Sequence, residues 1–231
     1  MRKITLYGHD FYTHAAPLDR MDDLIIREVR VFYDFADVFR WPEINTVLDI
    51  GAHIGSFAAY AHYRNSRARI VCLEPEAKNA ELCALNVEQF GAHLHVGYCR
   101  YLSDDVVLVK NPRNSGNYGM RLTSDTHNLQ DDRNIVPLDL SDRVTIGDLM
   151  NIYDMPHVDM LKLDIEGGEY NVLASMTWEE KRNIRLIVGE YHGGHDKFRN
   201  VVVPILERDF YVAHVGMRDL GRFCFVNRTW A

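Results

Sequence analysis

The chain has 231 residues, 47% of them hydrophobic, and 26 Lys+Arg against 33 Asp+Glu give a formal net charge of −7. This composition is rich enough in apolar residues to build a core, which excludes disorder as the main state, and its acidic balance argues against a nucleic-acid binder working through a broad basic surface. Four cysteines without a CxxC pair, no run near the roughly 18–20 apolar residues of a spanning helix and no secretory leader predict a reduced, cytoplasmic protein without a transmembrane segment.

Residues 1–20 are mixed in character. Over 22–40, Ile25, Val29, Phe32, Ala36 and Phe39 recur at steps of 4, 3, 4 and 3, the period of a helix with one buried face. Trp41-Pro42 ends it, because the residue before proline avoids the helical region. Residues 46–50 predict a short apolar strand, followed by a glycine loop and a helix from about 56. A second strand follows at 69–73, then a helix over 76–90 with Gly91 as C-cap. A third strand is expected at 93–101 and a short extra one at 106–109. Residues 111–135 are polar and Asn/Asp-rich and form the longest candidate loop, of the kind that covers a site. Helices are expected at 144–153, 168–176 and 197–209, and strands at 158–164 and 184–190. Two last strands, 211–216 and 222–227, are joined by a short turn and so should be antiparallel. The alternation predicts an α/β fold: a mostly parallel sheet with helices on both faces and a C-terminal antiparallel hairpin.

The sharpest local motif is Asp49-Ile50-Gly51-Ala52-His53-Ile54-Gly55-Ser56, between the first strand and its helix. Glycines allow a tight turn and let a ligand approach the backbone, and free N–H groups at the helix start favour an anion. The Gly-x-x-x-Gly spacing departs from the dinucleotide pattern, and a bare strand-to-helix turn would look the same. Glu74, at the end of the second strand and 19 residues beyond Gly55, sharpens the reading. An acid in that place accepts hydrogen bonds from the ribose of a nucleoside cofactor; otherwise it is a surface carboxylate before Pro75.

These segments resemble a known family. Val47-Leu48-Asp49-Ile50-Gly51-Ala52-His53-Ile54-Gly55 is similar to the first motif of FkbM-type S-adenosylmethionine-dependent methyltransferases, with His53 where Asn is usual. Leu73-Glu74-Pro75 resembles the second motif. Leu161-Lys162-Leu163-Asp164-Ile165-Glu166-Gly167-Gly168-Glu169 resembles the K-x-D-x-E-G-x-E run, and Val188-Gly189-Glu190-Tyr191-His192 the Glu-x-His element after it. The resemblance covers about 45–230. It implies one Rossmann-like methyltransferase domain over 1–231, with 1–44 as an N-terminal strand/helix extension and 45–231 as the core. It implies S-adenosyl-L-methionine as cofactor, held by Asp49, Gly51, Ala52, His53, Gly55, Ser56, Glu74 and Pro75. Ser103 and Asp104 sit where the adenine edge is often met. The implied reaction is methyl transfer to a hydroxyl of a sugar in a glycan or glycolipid, or of a related natural product. A non-sugar metabolite, or a silent cofactor-binding module, is the alternative.

Hydroxyls are poor nucleophiles until deprotonated, so a general base should contribute roughly 10²–10⁴-fold. Alternation puts Lys162, Asp164 and Glu166 on one side of a strand that ends at the expected crevice. Asp164 and His192 are the candidates to activate or orient the acceptor, with Glu190 supporting His192 and Glu166 holding the acceptor. His192 can take a proton near neutral pH. Structural readings stand beside these: a Lys162 ion pair, Glu166 and Glu169 serving only a helix start, His192 as a loop cap. His192 and His195 at i, i+3 with nearby acids would suit Mg²⁺ or Ca²⁺, but no metal is assigned.

Overall fold

The computed structural model describes residues 1–35, 38–100, 105–111, 113–126, 135–192, 194–215 and 221–230. A hairpin of β1 (Arg2–Leu6) and β2 (His9–Thr13) precedes α1 (Asp19–Phe32). Next come β3 (Thr46–Ile50), α2 (Ser56–Arg64), β4 (Arg69–Glu74), α3 (Ala77–Glu88) and β5 (His93–Val96). After the middle region come α4 (Ile146–Ile152), β11 (Val158–Leu163), α5 (Glu169–Ser175), α6 (Trp178–Arg182) and β12 (Ile184–Tyr191). The last strands are β13 (Phe210–Val215) and β14 (Gly221–Asn227). The main sheet has the order β13-β14-β12-β11-β3-β4-β5. From β12 to β5 its pairs are parallel, while β14 runs antiparallel to both β12 and β13.

Its central strands are apolar on both sides because both faces are covered. Leu48, Ile50, Leu161 and Leu163 pack with Leu149, Leu173 and Phe198 on one face. Val47, Met160 and Val188 pack with Trp41, Phe57 and Tyr60 on the other. The chain goes from β3 outward to β4 and β5, then returns to β11 on β3's other side. Such a reversal opens a crevice beyond the C-terminal ends of the two strands.

Four local differences from the sequence pattern have physical causes. Helix α1 stops at Phe32 rather than near 40, because Tyr33 is drawn into the core, its ring edge-on to Phe57 at 4.9 Å. Phe39 then packs edge-on to Trp41 without continuing the helix. The expected strand at 93–101 splits into β5 and β6 (Tyr98–Cys99), which leaves the main sheet to pair with β10 (Arg143–Val144). Gly97 marks the split, since a Cβ there would lie 2.4 Å from the Asp142 carbonyl oxygen. The expected loop 111–135 contains β8 (Gly119–Leu122), which with β7 (Val106–Val109) and β9 (Ile135–Pro137) forms a small antiparallel sheet. The last helix is broken into α7 (His195–Lys197), a π turn (Phe198–Val202) and α8 (Val203–Leu206).

Candidate active site

The glycine loop folds back on β4. The N–H groups of Gly51 and Ala52 both donate to the Leu73 carbonyl, at 3.0 and 3.1 Å. That return delivers the His53 N–H to Glu74 Oε2 at 2.9 Å. His53 adopts φ +52°, the left-handed region that side chains other than Asn, Asp and His seldom enter. Each of the two glycines also answers a packing constraint. A Cβ on Gly51, at φ +77°, would stand 2.0 Å from the Asp164 carbonyl oxygen, so this glycine lets the end of β11 close on the loop. A Cβ on Gly55 would meet Val87 and Cys83 of α3 at 2.9 and 3.3 Å, so Gly55 seats α2 on α3.

Glu74 is buried at the end of β4. Its Oε1 accepts from the Glu76 N–H at 3.0 Å and from Asn79 Nδ2 at 3.3 Å. Burial outweighs these donors and lifts its pKa to about 7. Beside it, Pro75, Leu73, Tyr98, Leu108 and Met120 wall an apolar slot. Asn79 Oδ1 and the Tyr98 hydroxyl are buried in the same wall and have no hydrogen-bond partner among the described residues. Ser103 and Asp104 lie outside the described residues. A second crevice adjoins the slot across Gly51, His53, Asp164 and Glu166, and also takes in Ala52, Ser56, Glu190 and His192. One wall of it is α1 with its following turn, through Met21, Ile25, Val29 and Tyr33.

Asp49 lies below this surface, fully buried, and pairs with Lys162 Nζ at 3.0 Å. The ammonium donates to the Gly51 carbonyl at 2.8 Å and stands 4.0 Å from Asp164 Oδ2. Burial alone would depress its pKa, but Asp49 and Asp164 more than offset that, so it stays charged. Asp49 therefore braces the loop through Lys162 and does not line the site. Asp164, just past β11, also accepts from the Tyr33 hydroxyl at 3.3 Å. Glu166 turns at φ +54° and accepts from Asn117 Nδ2 at 3.0 Å.

His192 is gripped from both sides. Nδ1 lies 3.1 Å from Glu169 Oε1 and Nε2 3.2 Å from Glu166 Oε2. Burial opposes its charge, but the two carboxylates prevail and its pKa is pushed up to about 9. It is thus an imidazolium at neutral pH, and Glu169 rather than Glu190 is its fixed partner. Glu169 was legible only as a helix-start acid; it does that work too, accepting from the N–H groups of Ile165 and Gly167. Glu166 is raised by burial to about 7, and Glu190, by burial and then by Asp164, to about 8. The donor atoms of Asp164, Glu190 and His192 converge within 4.8 Å, as do those of His14, Asp22 and His53. In the first group Lys162 and protonated His192 already supply positive charge. His195 stays outside it, with Nδ1 3.7 Å from Asp196. Tyr33, Asn79 and Ser115 carried no sequence signal that marked them as site residues.

The pattern of the methyltransferase FkbM domain matches residues 49–221. The chain belongs to the FkbM methyltransferase family. "Methyltransferase 1" of Beauveria bassiana (strain ARSEF 2860) is 24% identical over 220 residues, covering 88% of this chain and 87% of that protein. The fibrillarin pre-rRNA processing protein of Methanococcus jannaschii shares the fold at 8% identity and a TM-score of 0.53, over 98% of this chain and 82% of that one. TrmK of M. capricolum, solved with S-adenosylhomocysteine, is 9% identical with a TM-score of 0.46, over 88% and 68% of the two chains. The methyl donor of this FkbM protein is S-adenosylmethionine. The crevice suits such a molecule: among the residues that line it, Asn79, Tyr98, Ser56 and His53 each have a buried polar atom without a partner among the described residues. The carboxylates at its far end suit a sulfonium cation.

Proposed function

We propose that this FkbM protein transfers the methyl group to a hydroxyl oxygen of a sugar in a glycan, glycolipid or related natural product, and that it works in the cytoplasm. The observation that carries the reading is the convergence of Asp164, Glu190 and His192 within 4.8 Å beside the glycine loop. Bound S-adenosylmethionine supplies an electrophilic methyl carbon on a sulfonium. The chain's own residues do the rest. Glu74 accepts the ribose hydroxyls, and the backbone of Gly51, Ala52 and His53 passes close to the ligand. Ser56, Asn79 and Tyr98 meet its remaining polar groups, while Pro75 and the slot around Met120 take the base.

Asp164 holds the acceptor hydroxyl behind the methyl carbon, the alignment on which such a displacement depends. Its proton passes to the Asp164–Glu190 pair. Burial and then the neighbouring charge of Asp164 raise the Glu190 carboxyl to about 8, so Glu190 is the member of the pair that is basic near the working pH, where a general base is most effective. His192, charged and clamped by Glu169 and Glu166, orients the acceptor rather than deprotonating it. Among the described residues no helix is long and apolar enough to cross a membrane, and all four cysteines are buried and free, which supports the cytoplasmic reading.

The deciding experiment is transfer of label from S-adenosyl-[methyl-³H]methionine to a panel of glycosides, glycolipids, polyols and non-sugar alcohols, with RNA and protein as controls. A base-stable ether on a sugar oxygen is expected. Label on nitrogen or carbon overturns the reading, and tight S-adenosylhomocysteine binding with no transfer anywhere indicates a silent module. With the acceptor found, Asp164→Asn and His192→Gln should each lower kcat by about two orders of magnitude while cofactor affinity holds. The acidic limb of the pH–rate profile should vanish in Glu190→Gln and persist in His192→Gln.

A further inference from the structure

His14 and Asp22 precede residue 49, where the FkbM match begins, yet they are hydrogen-bonded into the cofactor loop. Asp22, on α1, is fully buried and accepts from the His14 N–H at 2.7 Å and from His14 Nδ1 at 3.0 Å, both on Oδ2. Its other oxygen accepts from the Ser115 hydroxyl at 3.0 Å. Ser115, itself buried, lies 2.9 Å from His53 Nε2. The hydroxyl has one proton, and that proton goes to the carboxylate, so Ser115 Oγ can only accept from His53. Nε2 therefore carries the ring proton. Burial drives the His53 pKa down to about 4, so no second proton is present near neutral pH. Nδ1 is left as a bare lone pair, shut off from water and without a partner among the described residues.

An orphaned acceptor of this kind is costly unless a ligand completes it. His53 is part of both the slot beside Glu74 and the acceptor crevice, so it stands where the two meet. The part of the donor that spans such a junction is its methionine portion. Of the groups there, the sulfonium has no N–H and the carboxylate would face the lone pair with its own. The α-ammonium is the group with protons to give.

We propose that Asp22 and Ser115 are positioning residues that fix His53 as its Nε2–H tautomer, so that Nδ1 accepts a hydrogen bond from the α-ammonium of the cofactor. The N-terminal segment and the middle region thereby select the amino-acid end of the cofactor. The proposal rests on the placing of the cofactor in this crevice.

The test is calorimetry on the full chain with three ligands: S-adenosylhomocysteine, its analogue lacking the α-amine, and 5′-methylthioadenosine, which lacks the whole amino-acid part. Losing a charge-assisted hydrogen bond corresponds to about 10–150-fold. His53→Phe should weaken S-adenosylhomocysteine by that factor and leave the other two nearly unchanged. Ser115→Ala, a small change that frees the tautomer, should shift the same ratio in the same direction, and it carries the test if His53→Phe does not fold. An unchanged ratio in Ser115→Ala overturns the proposal. Equal weakening of all three ligands overturns it too, because His53 would then act only on loop shape. Glu74→Ala separates the underlying reading: if it leaves all three affinities intact, the cofactor does not occupy this crevice.

Discussion

Glu74 offers the most quantitative check on where the cofactor sits. Its ordinary carboxyl value is 4.5, and burial lifts it to about 7 in the free protein. To accept two ribose hydroxyls it must be ionised, so binding should draw a proton off. With a pKa near 7, the ionised share is ~9% at pH 6, ~50% at pH 7 and ~91% at pH 8. If only that form binds, the Kd for S-adenosylhomocysteine falls about tenfold from pH 6 to pH 8, and about half a proton is released at pH 7. Calorimetry across this range, in two buffers of different ionisation enthalpy, reads both quantities. Glu74→Gln should bind weakly and with no slope. Glu166→Gln removes another acid near 7 and should keep the slope, since Glu166 lies at the acceptor end. Stability runs the opposite way. A raised carboxyl pKa means the folded state holds its proton longer, so the free protein should lose about 3 kcal/mol between pH 4.5 and 7 from this group. A flat affinity from pH 6 to 8 without proton release would refute the assignment of Glu74 to the ribose.

Gly51→Ala should cost about 2–5 kcal/mol, from a left-handed backbone and a Cβ driven against the Asp164 carbonyl; a melting temperature within a degree or two of the parent's contradicts the packing account. Asp49→Asn takes the 3.0 Å partner from a buried ammonium and leaves it only Asp164 at 4.0 Å, which should destabilise by up to about 3–5 kcal/mol, whereas the double change Asp49→Leu with Lys162→Met should recover much of it in chemical denaturation. His192, raised to about 9 from 6.5, contributes stability that is whole below pH 6.5 and is lost as pH climbs through 9, about 2–3 kcal/mol in all. Melting curves from pH 6 to 10 should show that loss in the parent and a smaller one in His192→Gln; equal losses reject the clamp.

The parallel core was legible because β3, β4, β11 and β12 are short apolar runs with both faces buried, each followed by a helix signal. What escaped were structures whose partners lie far off in sequence. Tyr33 leaves the helical period because Phe57 and Asp164 claim it, and Tyr98 leaves the main sheet because Arg143 pairs with it. Gly119–Leu122 reads as loop because a four-residue strand is defined by β7 rather than by its own pattern. At the site, the acids and His192 were legible from their places at strand ends. Their partnerships were not: only geometry shows that Glu169 holds His192, that Asp49 acts through Lys162, and that Gly55 serves a helix contact.

The position of β14 bears on how the protein is made. This strand follows both β12 and β13 in the chain, yet it lies between them in the sheet. Until residue 227 has left the ribosome, β12, which carries Glu190 toward the site, has no partner on one side. Its open edge is a template for pairing with another chain. The nascent chain thus passes through a stage with β5, β4, β3, β11 and β12 paired and the outer edge of β12 unsealed. Pausing or truncation between residues 192 and 221 should yield a species that needs chaperone cover, whereas the same interruption after β5 leaves a shorter edge exposed.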